Sequence, residues 1–440
     1  MEIHVVQPGE TIFTIAAAYG VDPQSVIEIN QLEELPYLVP GQALIIPITE
    51  ELYTVQQGDS LWSIAMEFDV SLQELIALNN IQNPNLIYPG MVLRIPIGEP
   101  GKFGTIEVNA YINPIGNEQD VEEVNSVGEY LTYISPFSYQ VNGDGTLTQP
   151  QDNLVLQAAE DNNIAPLMVI TNFREGNFDT ELAHTILTDE NIQDILIENV
   201  LEVLENKNYY GLNIDFERVP SEDRELYNDF LRKVVGRLRP MEYPVSTALA
   251  PKPYEIEQGE WHGAHDYEAH GEIVDFVIIM TYEYGWAGGE PMAVAPLNEV
   301  RSVIDYATSV IPPEKIMMGM PLYGYDWTLP YDPEGEWAAS ISPQYALQLA
   351  AQYGAVIEYD NVTQSPYFYY WVDGVQHEVW FEDARSIQAK LYLVDEYGLK
   401  GVSYWILGYD FPQSWSVLGN MYDIETVSYT HLTLPTILRV

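Results

Sequence analysis

The sequence predicts an α/β protein, a (β/α)₈ barrel of the TIM type preceded by two copies of a small βααβ module. Three observations predict it. A shift of 49 residues superimposes the N-terminal segment on the next one without a gap, so that Val6, Gln7 and Gly9 fall on Val55, Gln56 and Gly58. From about residue 103 onward, strand-like runs alternate eight times with helix-like ones, the pattern of a parallel barrel. Between the seventh and eighth of these strands lies an aromatic-rich stretch, 327–382, too long for an ordinary crossover. It reads as a small α+β insertion with a hairpin turn at Asp373-Gly374.

The first module spans 2–48 and the second 51–97. In each, a short strand (4–6; 53–55) meets a turn at Pro8-Gly9 or Gln57-Gly58. Thr11 or Ser60 follows at an N-cap position, ahead of apolar residues at helical spacing: Ile12, Ile15, Ala16 and Leu61, Ile64, Ala65. A second helix (23–30; 72–79), a Pro-Gly turn and a closing strand ending in Ile-Pro complete each copy. The run GDSLWSIA and the later YPG and IP signatures of the second copy resemble the LysM domain. That resemblance implies binding of N-acetylglucosamine-containing glycans in a groove between two loops. On this chain the loops hold Gly9, Glu10 and Thr11 in the first copy, and Gly58, Asp59, Ser60, Leu61, Tyr88, Pro89 and Gly90 in the second. Arg94 is the only basic residue in the first 97. An anionic wall therefore cannot be held by charge, and backbone hydrogen bonds to acetamido groups are expected instead.

A compact linker at 98–102 leads into the barrel, expected over 103–426. Its strands are predicted at 105–111, 130–135, 167–171, 211–216, 244–248, 276–281, 315–319 and 401–404, with helices at 189–206, 222–239 and 296–310 among those between them. The final segment, 427–440, begins with ten residues that include no acid, abruptly unlike the chain before it. It resembles translated adaptor read-through, and no folded element is expected in it.

Composition excludes several functions. The 440 residues carry 66 acidic and 17 basic side chains, a formal net charge of −49, and such a surface repels nucleic acid and anionic lipid. Solubility in a salty or alkaline medium is the simplest use for that charge. Without cysteine there is no disulfide, thiolate metal site or cysteine nucleophile. No apolar run approaches a membrane span, and the N-terminus lacks a basic stretch followed by an apolar core, so no signal peptide is expected. His262, His265 and His270 lie close together, but their spacing fits no helical or zinc-ribbon ligand set, and a polar loop is the expectation. With 32 tyrosines and 9 tryptophans, the chain has aromatic faces to spare for stacking on sugars.

The chemistry concentrates in Tyr209–Glu217, YYGLNIDFE. Alternate side chains of a strand share a face, so Asn213, Asp215 and Glu217 point one way and Leu212, Ile214 and Phe216 the other. In a barrel the polar set faces the axis near the C-terminal end of the strand, where barrel enzymes place their sites. Two carboxylates two residues apart in a partly dry cavity cannot both ionise freely. One is driven toward the protonated form that a general acid needs.

This strand resembles the signature of family 18 glycoside hydrolases, D-x-x-D-x-D-x-E, with Tyr210 and Asn213 standing where the first two aspartates would be. The N-x-D-x-E form is similar to the spore-associated branch that also bears LysM pairs. The resemblance covers about 103–425 and implies substrate-assisted retention: Glu217 as acid and later base, Asp215 orienting the substrate acetamido group, and Tyr282 hydrogen-bonding its oxygen. It further implies substrate contacts at Asn213, Trp405, Tyr323, Glu283 (aspartate in the family's M-x-Y-D) and Tyr111. No metal or other cofactor is expected. The implied function is hydrolysis of β-1,4 bonds after N-acetylglucosamine in peptidoglycan, with spore cortex as the favoured source, by a spore- or wall-associated monomer. A chitinase is the second reading, and a non-catalytic glycan-binding protein the reading from another class.

Overall fold

A computed structural model describes residues 1–48, 50–68, 70–84, 86–96 and 101–427. Most of the expected linker and all of the terminal segment from 428 lie outside them.

Both N-terminal modules are βααβ. In the first, strand Glu2–Val5 pairs antiparallel with Ala43–Ile46 around helices Ile12–Tyr19 and Pro23–Asn30. In the second, Glu50–Thr54 pairs with Val92–Pro96 around Leu61–Glu67 and Leu72–Leu78. Thr11 and Ser60 each close a reciprocal capping box, with Thr14 and Ser63, which satisfies backbone donors that a seven- or eight-residue helix would otherwise leave open. The duplication extends to hydrogen bonds. Asn30 and Asn79 each clip the closing strand through its backbone, at Ile45 and Arg94.

The barrel strands are β1 (Thr105–Ile112), β2 (Tyr133–Pro136), β3 (Ala165–Thr171), β4 (Gly211–Asp215), β5 (Val245–Leu249), β6 (Phe276–Ile279), β7 (Ile316–Pro321) and β8 (Gly401–Trp405). Each pairs in parallel with the next, and β8 pairs with β1, which closes the ring. The second strand begins later than the sequence suggests, because Gly128–Tyr130 forms a 3₁₀ turn that ends the preceding helix. Side chains divide by face. Leu212, Ile214 and Phe216 join the large layer under the helices, where Phe216 stacks on Phe230 with ring centres 5.9 Å apart. Tyr133, Leu167, Val169, Phe276, Ile278 and Met317 plug the barrel axis. That plug is a dry floor, and the site stands on it.

After β7 the chain builds an antiparallel sheet from Gly324–Leu329, Ala339–Ile341, Glu358–Asp360, Ser365–Val372 and Val375–Trp380, with helix Pro343–Tyr353 packed against it. Asp373 and Gly374 both take positive φ (51° and 83°), the geometry of a two-residue hairpin turn.

The first module is docked on this body. Ile357 N–H donates to the Pro40 carbonyl (2.9 Å), Gln413 donates to Asn30 Oδ1 and the Ala43 carbonyl (both 2.9 Å), and the Tyr37 hydroxyl donates to the Ala351 carbonyl. A Cβ on Gly41 would meet the Ile357 carbonyl oxygen at 1.8 Å, so glycine is required there for close approach as well as for its φ of 86°.

Candidate active site

The site is built on the C-terminal ends of β4, β6, β7, β8 and β1. Asn213 and Asp215 are buried and face the axis, and Glu217, just past β4, is half-buried. Tyr111 from β1 donates to Asn213 Oδ1 (2.9 Å), and Asn213 Nδ2 donates to Ser246 Oγ on β5 (3.0 Å). These neutral groups continue the face of β4 that carries Asp215.

The two carboxyls shape each other. Burial pushes Asp215 upward. Glu217 is pushed well above the usual carboxylate range, first by burial and then by the nearby charges of Asp215 and Glu283, with Arg218 opposing. Both shifts favour retention of a proton by the pair, and Glu217, which has more raising neighbours, is its natural place. Asp215 Oδ1 is buried and has no hydrogen-bond partner. A buried acceptor left open in this way costs free energy until a donor fills it.

Two supports of Glu217 were not visible in the sequence. Asn172, the residue after β3, accepts from Glu217 N–H (3.0 Å) and donates to its carbonyl (2.8 Å), clamping the backbone from both sides. His265 accepts at Nδ1 from Ala250 N–H (2.8 Å), so Nε2 carries the proton and donates to the Phe216 carbonyl (3.0 Å). Burial lowers the His265 pKa to about 4, and the ring stays neutral. This corrects the expectation of a polar histidine loop, because His265 and His270 are both fully enclosed. Burial beside a strand end 49 residues away leaves no local pattern by which it could be read. Among the described residues, no cluster of three or more His, Asp or Glu is placed to hold a metal.

The other predicted residues converge on the same mouth. Tyr282 is buried at the end of β6. Gly319 on β7 packs against it: a Cβ there would stand 2.7 Å from Tyr282 Cε1 and 2.6 Å from the Ile279 carbonyl oxygen. Gly319→Ala is therefore expected to displace the Tyr282 ring and lower kcat by up to about 10²-fold at temperatures well below Tm. Steady-state kinetics beside a melting curve checks this. Glu283, in the left-handed region (φ 64°) and open to the cleft, accepts from Tyr325 (2.8 Å) and from Tyr323. Trp405 lies edge-on to Phe137 and Tyr111, with ring centres 5.0 and 5.4 Å away, and forms an aromatic wall. Beyond Glu283 a cavity of about 260 Å³ opens between Trp327, Tyr331 and Trp337.

Residues 112–410 of this barrel match the family described as glycosyl hydrolases family 18. The chain belongs to that family. Residues 4–47 and 53–96 match the LysM domain, and the two kinds of domain together imply binding of peptidoglycan glycans. The family 18 chain is 48% identical over 428 residues to the cortical fragment-lytic enzyme of Bacillus subtilis (strain 168), covering 96% of this chain and 99% of that protein. The crystal structure of the spore cortex-lytic enzyme SleL of Bacillus megaterium QM B1551 superimposes with a TM-score of 0.85 at 41% identity, over 97% of this chain and 99% of that one. A chitinase from Chromobacterium violaceum ATCC 12472 aligns with a TM-score of 0.65 at 26% identity, over 72% of this chain and 99% of that one.

The LysM loops differ from the expectation at one residue. Leu61 is buried in the second module's core, so its side chain cannot line a groove; its neighbour Trp62 is exposed. Gly9, Gly58 and Gly90 sit at positive φ on exposed turns. Glu10 and Asp59 are occupied in closing those turns, accepting from Gln7 N–H (2.7 Å) and Gln56 N–H (2.6 Å). Tyr88 and Pro89 are exposed.

Proposed function

We propose that the chain is a retaining N-acetylglucosaminidase of spore cortex peptidoglycan, and that Glu217, Asp215 and Tyr282 carry the reaction. The observation that carries this reading is the open, buried Oδ1 of Asp215 beside Glu217, whose carboxyl burial and the neighbouring charges push well above the usual range. An acetamido N–H is the donor that fits it. Glu217 gives its proton to the glycosidic oxygen as the bond to the anomeric carbon breaks. The acetamido carbonyl oxygen of the same sugar forms the new bond to that carbon, giving an oxazolinium ion whose charge Asp215 balances. Water then adds to the anomeric carbon, its proton passes to the Glu217 carboxylate, and the acetamide is restored. Tyr282 would hydrogen-bond the acetamido oxygen during attack, and Trp405 would lie beneath the reacting sugar, with Asn213, Tyr111, Tyr323 and Glu283 shaping the pocket around it.

The relatives named for cortex lysis support the choice of cortex, and they support placing the protein at the spore. Among the described residues no helix is long and apolar enough to cross a membrane. Mass spectrometry of products from cortex peptidoglycan and from chitin oligomers tests the proposal. Fragments with reducing N-acetylglucosamine from cortex are expected, cleavage of chitin alone would make the protein a chitinase, and bound but uncut glycan in both would make it a lectin.

In binding, the second LysM module should lead. In the first, the loop at 37–41 is held against the inserted subdomain, whereas Trp62, Leu86 and Tyr88 of the second are exposed. Trp62→Ala is expected to weaken Kd for insoluble peptidoglycan by about two- to tenfold. Phe13→Ala, at the matching position of the first module, should weaken it less. A pull-down series with both variants measures the order.

A further inference from the structure

The inserted sheet has two unlike faces, and folding explains only one of them. On the first, Phe368, Tyr370 and Val379 are buried against helix Pro343–Tyr353 and form the core of the insertion. Alternation turns the intervening side chains of the same strands the other way: Tyr367, Tyr369 and Trp371 on one strand, Glu378 and Trp380 on the next. Tyr369 is 40% and Trp371 60% exposed. The free face of an antiparallel strand normally carries polar residues, and threonine would serve the strand equally well without showing water an aromatic ring. Large apolar rings grouped on an exposed surface mark a place where something binds.

This surface is continuous with the catalytic mouth. Strand Gly324–Leu329 sets Tyr325 opposite Trp380 and Trp327 opposite Glu378. Beyond them, Trp380 lies opposite Tyr367 and Glu378 opposite Tyr369. Cross-strand partners share a face, so two rows run from the mouth onto the insertion. Each begins at the site: Tyr325 donates to Glu283 (2.8 Å), and Trp327 lines the cavity of about 260 Å³. Each ends two strands farther out, about 10 Å away, and Trp371 continues the outer edge by about 7 Å more.

The chemistry of the rows selects the occupant. Tyr367 stacks on Trp380, with ring centres 4.5 Å and planes 18° apart, which holds both rings in place. Glu378 accepts from Trp380 Nε1 (2.8 Å) and Glu358 from the Tyr367 hydroxyl (2.9 Å), and each carboxylate keeps lone pairs for further donors. Fixed rings alternating with acceptors fit the apolar faces and the hydroxyl groups of a sugar chain. The same carboxylates, with the net charge of −49, keep nucleic acid and anionic lipid away. We propose that the outer face of the inserted sheet is a second glycan-binding surface, which holds the uncut length of the strand whose N-acetylglucosamine lies at Glu217. The proposal rests on the glucosaminidase reading above, and it makes long strands better substrates than short ones.

The test uses the full chain and two sized fractions of soluble cortex glycan, tetrasaccharides and long strands. Wild-type kcat/KM per cleavable bond should be higher on long strands by about tenfold, the worth of two stacked aromatic rings. Trp371→Ala should lower that ratio by about two- to fivefold, and Trp371→Phe, which keeps a ring, should retain most of it. The ratio is taken within one enzyme, so a change in the folded fraction cancels. A second readout separates this surface from the LysM modules: hydroxyl-radical footprinting of Glu217→Gln, which does not consume the glycan, should show Tyr369 and Trp371 protected when long strands are added. A wild type that treats both lengths alike, a Trp371→Ala variant that keeps the ratio, or rings that stay as reactive with strands as without them overturns the surface. Release of reducing N-acetylglucosamine in the same assays would leave the glucosaminidase reading standing. A wild type that cuts neither fraction overturns that reading, and this inference with it.

Discussion

Glu217→Gln is expected to lower kcat on cortex fragments by about 10²- to 10⁴-fold, the usual contribution of a positioned general acid, with glycan affinity retained. The geometry explains the size. Glutamine keeps the shape and the Asn172 clamp on the backbone, but it has no proton to give the glycosidic oxygen and cannot activate water afterwards. The same substitution should raise Tm at neutral pH. The Glu217 pKa is raised in the folded protein, so ionising it there costs more than in the unfolded chain. That cost is absent below the ordinary glutamate range and grows as pH rises above it, so the Tm gain should vanish in acid and widen toward neutrality. Melting curves across pH together with single-turnover kinetics check both halves. A variant that is slow but no more stable at neutral pH would mean Glu217 is less crowded than its surroundings indicate.

Asp215→Asn is expected to cost about 10²- to 10³-fold in kcat, comparable to removing a preorganised electrostatic partner. The amide still fills the space between Asn213 and the substrate, but it carries no negative charge to balance an oxazolinium ion. A second effect follows from coupling. The charge of Asp215 helps hold the Glu217 proton, so removing it should lower the pKa of Glu217. The active form requires that proton, and the basic limb of the pH–rate profile should therefore move to lower pH in the variant. A profile that falls in amplitude without shifting would separate the two carboxyls and leave burial alone to tune Glu217.

Much of this was legible in the sequence because periodicity carries it. Two-residue alternation in 211–217 separates Asn213 and Asp215 from Leu212, Ile214 and Phe216, and the closed ring places them as that alternation requires. The 49-residue repeat defines two modules, each with its own core. The helical spacing of Leu61, Ile64 and Ala65 turns Leu61 into the core of the second and leaves Trp62 outside.

What the sequence determined by itself, then, was local pattern: strand faces, helix caps, the repeat, and the acid pair at the end of one strand. Periodicity of 2.0 and 3.6 residues is written in neighbouring positions, so it survives without the fold. What only the tertiary structure decided depends on residues far apart in the chain. Asn172 clamps Glu217 across 45 positions, Gly319 makes room for Tyr282, and the first LysM module rests on helices more than 300 residues away. Ring closure, hydrogen-bond satisfaction and charge pairing are settled only when the whole chain is in place.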